Sequence, residues 1–187
     1  EERTTEGGLD LIKKFYDIKK ISDDLTNAGI RVSLFIAPEI DQIDKAIQMQ
    51  VPIIELHTGN YADFDGELKN KELKKIQQAV EYAKKAGLLV NAGHGLHYEN
   101  VQNIAKIDGI HELNIGHAIV AKALFIGWEN AVIEMKKIIK DSHDMIYYIS
   151  MLSTTGEKLK VSPRKILENY KKIKKLNNNK NLVIGFG

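Results

Sequence analysis

Short apolar strands alternate with amphipathic helices along this chain, and that rhythm limits the possible folds more than any other feature. The strand candidates are Arg31 to Ile36, Pro52 to His57, Leu88 to Asn91, Glu112 to Ile115, Met145 to Ser150 and Asn181 to Ile184. Each is a short β-branched or aliphatic run. Between them, Ile40, Ile43, Ala46 and Ile47 mark a helix after Pro38, and Leu73, Ile76, Val80 and Ala83 mark one that ends at Gly87. Ala131, Val132, Met135, Ile138 and Ile139 mark a third before Asp141. Strands that alternate with helices form parallel sheets with right-handed crossovers. Several of these strands lack a strict polar alternation, as expected where helices cover a parallel sheet. The expected class is α/β, built of TIM-barrel-type strand-helix units. The 187 residues hold about six units, and a closed eight-unit barrel needs roughly 250 residues, so the predicted barrel wall is incomplete.

Composition removes several classes of function. The 27 basic and 25 acidic residues leave a net charge of +2, which gives no bulk electrostatic case for nucleic acid or membrane binding. The run from Lys171 to Lys175 has the spacing of a solvated helix face. Cysteine is absent, which excludes disulfides, thiolate nucleophiles and thiolate metal sites. No apolar run reaches the roughly 18 residues that a membrane span requires, and no signal-peptide pattern opens the chain. The expectation is a soluble protein.

Two strands end in similar turns, Asn91-Ala92-Gly93-His94-Gly95 and Asn114-Ile115-Gly116-His117-Ala118. Barrel enzymes carry their chemistry at that rim. Glycine admits close backbone approach, and histidine is the side chain suited to proton transfer near neutral pH. Free backbone donors at a helix start favour a phosphate, so His94, Gly95, Gly116 and His117 form the candidate site. In the strand Pro52 to His57, Glu55 and His57 share one face, opposite Ile54 and Leu56. Glu55 either serves the site, steadying positive charge or a histidine tautomer, or fills the interior as half of a structural Glu-His pair. A three-histidine metal centre is the weaker alternative, because the spacings match no compact ligand motif.

The segments Thr4-Thr5-Glu6-Gly7-Gly8-Leu9-Asp10, Arg31 to Ile36, Glu55-Leu56-His57-Thr58-Gly59 with Tyr61-Ala62-Asp63, Asn91 to Gly95, and Glu112 to Ile119 resemble, in order, the pyridoxine 5'-phosphate synthase family. The resemblance runs from about Thr4 to about Ile139. It implies a cytoplasmic (β/α)8 barrel, assembled as a homo-oligomer, that condenses 3-amino-2-oxopropyl phosphate with 1-deoxy-D-xylulose 5-phosphate and uses no metal or organic cofactor. It implies His94 as general acid of ring closure and Glu55 as transition-state stabiliser. It also implies Gly95, Gly116 and His117 as holding the amino-oxopropyl phosphate, with Thr4 on the deoxyxylulose phosphate.

The resemblance begins in the family's fourth strand unit, so the earlier catalytic bases and phosphate-gripping arginines have no counterpart in this sequence. Beyond Lys140, the segments Met145 to Ser150, Ser153 to Gly156 and Leu182 to Gly187 resemble strand units of the tryptophan synthase α subunit. That tail resemblance implies a second phosphate site at Thr155, Gly156 and Gly187. The expected organisation is a half-barrel over residues 1 to 140, with residues 141 to 187 packed on the same sheet, as in a chimera or a truncated chain. The alternatives to a pyridoxine 5'-phosphate synthase are an inactive phosphate-binding scaffold and, less favoured because its carboxylates are missing, a lyase of the tryptophan synthase α type.

Overall fold

The computed structural model describes residues 7–139, 145–149 and 181–185. Thr4, Thr155, Gly156 and Gly187 therefore lie outside the described residues, as does most of the tail that resembles tryptophan synthase.

The strand-helix rhythm is present as read. Helix α1 (Phe15–Asn27) leads to β1 (Ser33–Ile36), α2 (Ile40–Met49), β2 (Ile53–His57), the short α3 (Gly59–Asp63) and the long α4 (Gly66–Lys85). Then come β3 (Leu89–Gly93), α5 (Val101–Ala105), β4 (Ile110–Asn114), α6 (His117–Ile126) and α7 (Trp128–Ile138). Helix α2 buries Ile43, Ala46 and Met49 and stops at Gln50, which adopts a left-handed φ of 60°. Helix α4 buries Ile76, Ala79, Val80 and Ala83, a spacing that places all of them on one face. Strand β3 runs on through Gly93, and β4 starts at Ile110, before the Glu112 expected from the sequence. Local apolar runs locate strands well and their ends poorly.

Strands β1 to β4 form one parallel sheet in sequential order. Its free side at β1 carries one further bridge, from Leu9 to Ile36, with the Leu9 N–H donating to the Phe35 carbonyl at 2.7 Å. Two faces follow from the registers. Leu34, Ile36, Ile54, Leu56, Val90, Ala92 and Leu113 turn to the helices and join Ile43, Ile76, Val80 and Ile104 in one buried cluster. The opposite face carries Phe35, Glu55, Asn91 and Glu112 in a single in-register row across the four strands. A second row, nearer the strand ends, holds His57, Gly93 and Asn114.

Strand β4 reaches this arrangement through a bulge. Ile110 pairs with Val90 and Glu112 with Asn91, leaving His111 as the extra residue. One inserted residue exchanges the two faces beyond it. Without it His111 would face inward, and Glu112 would face the helices.

Strands β5 (Met145–Ile149) and β6 (Asn181–Gly185) are parallel, yet they form their own two-stranded sheet and do not extend the ladder from β4. Extension would need β5 to enter the slanted N–H···O register of a parallel pair; it comes close to β4 without doing so.

Candidate active site at the strand ends

The turn after β3 places His94 at the rim and holds it under constraint. His94 has φ of +80°, a conformation that non-glycine residues rarely adopt and that costs of order 1–3 kcal/mol. The turn after β2 secures it. The Thr58 N–H donates to the Gly93 carbonyl at 2.8 Å, and the buried Thr58 hydroxyl lies 2.8 Å from that oxygen and 2.6 Å from the His94 carbonyl. On the other side, Asn100 Nδ2 donates to the Gly95 carbonyl at 3.0 Å and Asn100 Oδ1 accepts the His97 N–H at 2.7 Å. Tyr61, fully buried, donates its hydroxyl to the Asn100 carbonyl at 2.7 Å. These bonds fix a backbone that would otherwise relax.

The His94 ring stacks on His57, with centroids 4.8 Å apart and planes inclined by 29°. Phe35 meets the edge of His57 at 5.4 Å. Gly59 makes room for the pair: a Cβ there would sit 2.7 Å from His57 Nε2 and 3.1 Å from His94 Cδ2. The sequence showed His57 and Glu55 on one face but gave no sign that His57 would lie under His94, since that contact joins two turns far apart in the chain.

Glu55 lies just inside this rim. A Cβ on Gly93 would overlap Glu55 Oε1 and come within 2.9 Å of Asn114 Cβ, so the glycine of the β3 turn is where the Glu55 carboxyl passes. Burial pushes the Glu55 carboxyl up to about 7; a hydrogen bond from Asn114 opposes the rise, and the negative charge of Glu112 adds to it. Glu112 is also raised, chiefly by burial, while the charges of His111 and Arg31 pull it down. Glu55 is thus poised between its acid and its base form at neutral pH.

Between the β3 and β4 turns opens a cavity of about 430 Å³, lined by His94, Gly95, Asn114, Gly116 and His117 among others. Gly116 caps α6, and His117 is that helix's first residue. The first amide groups of a helix lack intrahelical partners and favour an anion. The two turns singled out in the sequence therefore share one cavity, with Glu55 on the inner face below it. His97 makes loop contacts, and His111 occupies the bulge.

Fold and rim together define a partial TIM barrel whose polar residues gather at the C-terminal ends of parallel strands. The family model "Pyridoxal phosphate biosynthesis protein PdxJ" matches residues 1–141. A pyridoxine 5'-phosphate synthase of Blochmanniella pennsylvanica (strain BPEN) is 52% identical over 143 residues, which cover 76% of this chain and 59% of that protein. The chain belongs to the PdxJ family. It spans less than two thirds of the length of that relative. The family match ends at residue 141 and so gives no support to the likeness of the tail to the tryptophan synthase α subunit. Among the described residues no helix is long and apolar enough to cross a membrane.

Proposed function

We propose that this chain supplies the phosphate-binding and proton-donating half of a pyridoxine 5'-phosphate synthase, which condenses 3-amino-2-oxopropyl phosphate with 1-deoxy-D-xylulose 5-phosphate and releases phosphate and water. The observation that carries the reading is the shared cavity: one space contacts His94, Gly95, Gly116 and His117, and Glu55 lies on the strand face beneath it. The amide groups of Gly95 and of the start of α6, with His117, would hold the amino-oxopropyl phosphate. His94, held rigidly at the cavity wall, would give its proton to the departing oxygen during ring closure. Glu55 in its ionised form would stabilise the positive charge that develops on the nitrogen of the forming ring. Thr4, ahead of the described residues, is assigned to the second phosphate. No metal or organic cofactor is part of the scheme.

The reading extends to assembly with further copies of the chain. Leu124 and Phe125 on α6 are 83% and 88% exposed, and a large exposed apolar pair favours burial against a partner. The direct test is formation of pyridoxine 5'-phosphate by the full-length protein from the two phosphorylated substrates. Loss of that activity in His94→Asn, with phosphate still bound, supports the assignment, and unchanged turnover rejects it. Sedimentation of the full-length protein as a monomer would reject the assembly.

A further inference from the structure

The inner row Phe35, Glu55, Asn91, Glu112 contains a second carboxylate that the scheme above leaves idle. We propose that Glu112 is a positioning residue for Glu55, acting through the Asn91 amide that lies between them. The proposal rests on Glu55 belonging to the reactive site.

Geometry supports it at three points. First, the bulge at His111 turns Glu112 inward, into register with Asn91 and, one strand further, with Glu55. Bulges that re-aim a side chain beside a site are a recurrent device. A buried carboxylate there is costly and needs a partner. Second, Asn91 Nδ2 donates to Glu112 Oε2 at 3.4 Å. With its nitrogen turned to β4, the amide leaves Oδ1 buried and without a hydrogen-bond partner among the described residues. Third, Asn114 hydrogen-bonds Glu55, while its own Oδ1 is buried and without a partner among the described residues. The Asn114 amide nitrogen is therefore the donor to Glu55.

These facts fit one arrangement. Glu112 carries the negative charge and fixes the orientation of the Asn91 amide. The Asn91 oxygen then offers an acceptor on the β2 side of the row, where Glu55 is the neighbouring group able to satisfy it. Only the protonated carboxyl has a hydrogen to give. A neutral Glu55 would thus accept from Asn114 and donate to Asn91, whereas an ionised Glu55 would leave the Asn91 oxygen unsatisfied and face the Glu112 charge. The pair shares one negative charge, held at rest on Glu112, and Glu55 can lose its proton when substrate brings positive charge into the site. The other groups around the pair are Phe35 from β1, His57 further along β2, Gly93 from β3, and His111 and Arg31 on the Glu112 side.

The test is carboxyl ¹³C NMR of the full-length protein, following Glu55 against pH. In the parent, the Glu55 midpoint is expected near 7. Glu112→Gln keeps the shape and removes the charge, and it should lower that midpoint by about half a pH unit or more. A midpoint that stays in place in a folded Glu112→Gln protein overturns the proposal. If the variant does not fold, the parent decides alone. Coupled carboxyls imprint on each other's titration curves, so a second inflection of the Glu55 signal at the Glu112 midpoint supports the pair, and single independent curves for both overturn it. None of these readouts needs turnover, so the result stands apart from whether the protein makes pyridoxine 5'-phosphate.

Discussion

The two faces of the four-stranded sheet are made from the same strands, one residue out of step, and obey opposite rules. On the helix side, Leu34, Ile54, Leu56, Val90 and Ala92 are at most 4% exposed and bring no polar side-chain atom into the core. On the other side, Glu55, Asn91, Glu112 and Asn114 stand in adjoining rows, with the Asn91 and Asn114 oxygens buried and lacking partners among the described residues. The first face is where burial of apolar area stabilises the fold. The second carries desolvated carboxyls and a strained His94, features that cost stability and persist where a site uses them.

If this division is right, substitutions on the two faces should fail in different ways. The largest effect is expected at His94. In the full-length protein, His94→Asn should slow ring closure by about 10²- to 10⁴-fold, with Tm little changed, because asparagine, like histidine, is among the non-glycine residues most often found at positive φ. Steady-state turnover beside thermal unfolding checks both halves of the statement. Leu56→Ala, on the helix side of the neighbouring strand, should do the reverse. It should cost about 2–5 kcal/mol of stability in a denaturant titration, with turnover per folded molecule retained. A Leu56→Ala protein that is as stable as the parent but inactive would erase the distinction. At the small end, the exposed pair between Lys85 and Glu81 on α4 belongs to neither face. Lys85→Ala should leave both Tm and turnover within experimental error.

Much of this division was legible in the amino-acid order. The alternation of Ile54 and Leu56 with Glu55 and His57 gave the two faces of β2, and the paired Gly-His turns marked the rim. What escaped was non-local. Glu112 and Asn114 face inward only because of the extra residue at His111, and no local pattern announces a bulge. The stack of His57 on His94 and the clamp by Thr58 join turns some 36 residues apart, so periodicity within one strand cannot reveal them. Gly93 and Gly59 looked like turn residues. Each also vacates space for a side chain from another element, Glu55 in one case and the two imidazoles in the other.

The most direct test of the contrast is the stability of Glu55→Gln against the parent as a function of pH. The Glu55 carboxyl is raised from 4.5 to about 7 on folding. Between those values the unfolded chain has released the proton and the folded chain still holds it, so the parent loses stability as pH rises through that window and no further above it. Glutamine imitates the neutral acid and escapes the loss. Denaturant titrations should therefore show the variant equal to the parent near pH 4 and more stable by about 3 kcal/mol at pH 8, while turnover of the full-length protein falls. A variant less stable than the parent at pH 8 would show that the ionised Glu55 holds the fold together as a structural partner, and would contradict the account.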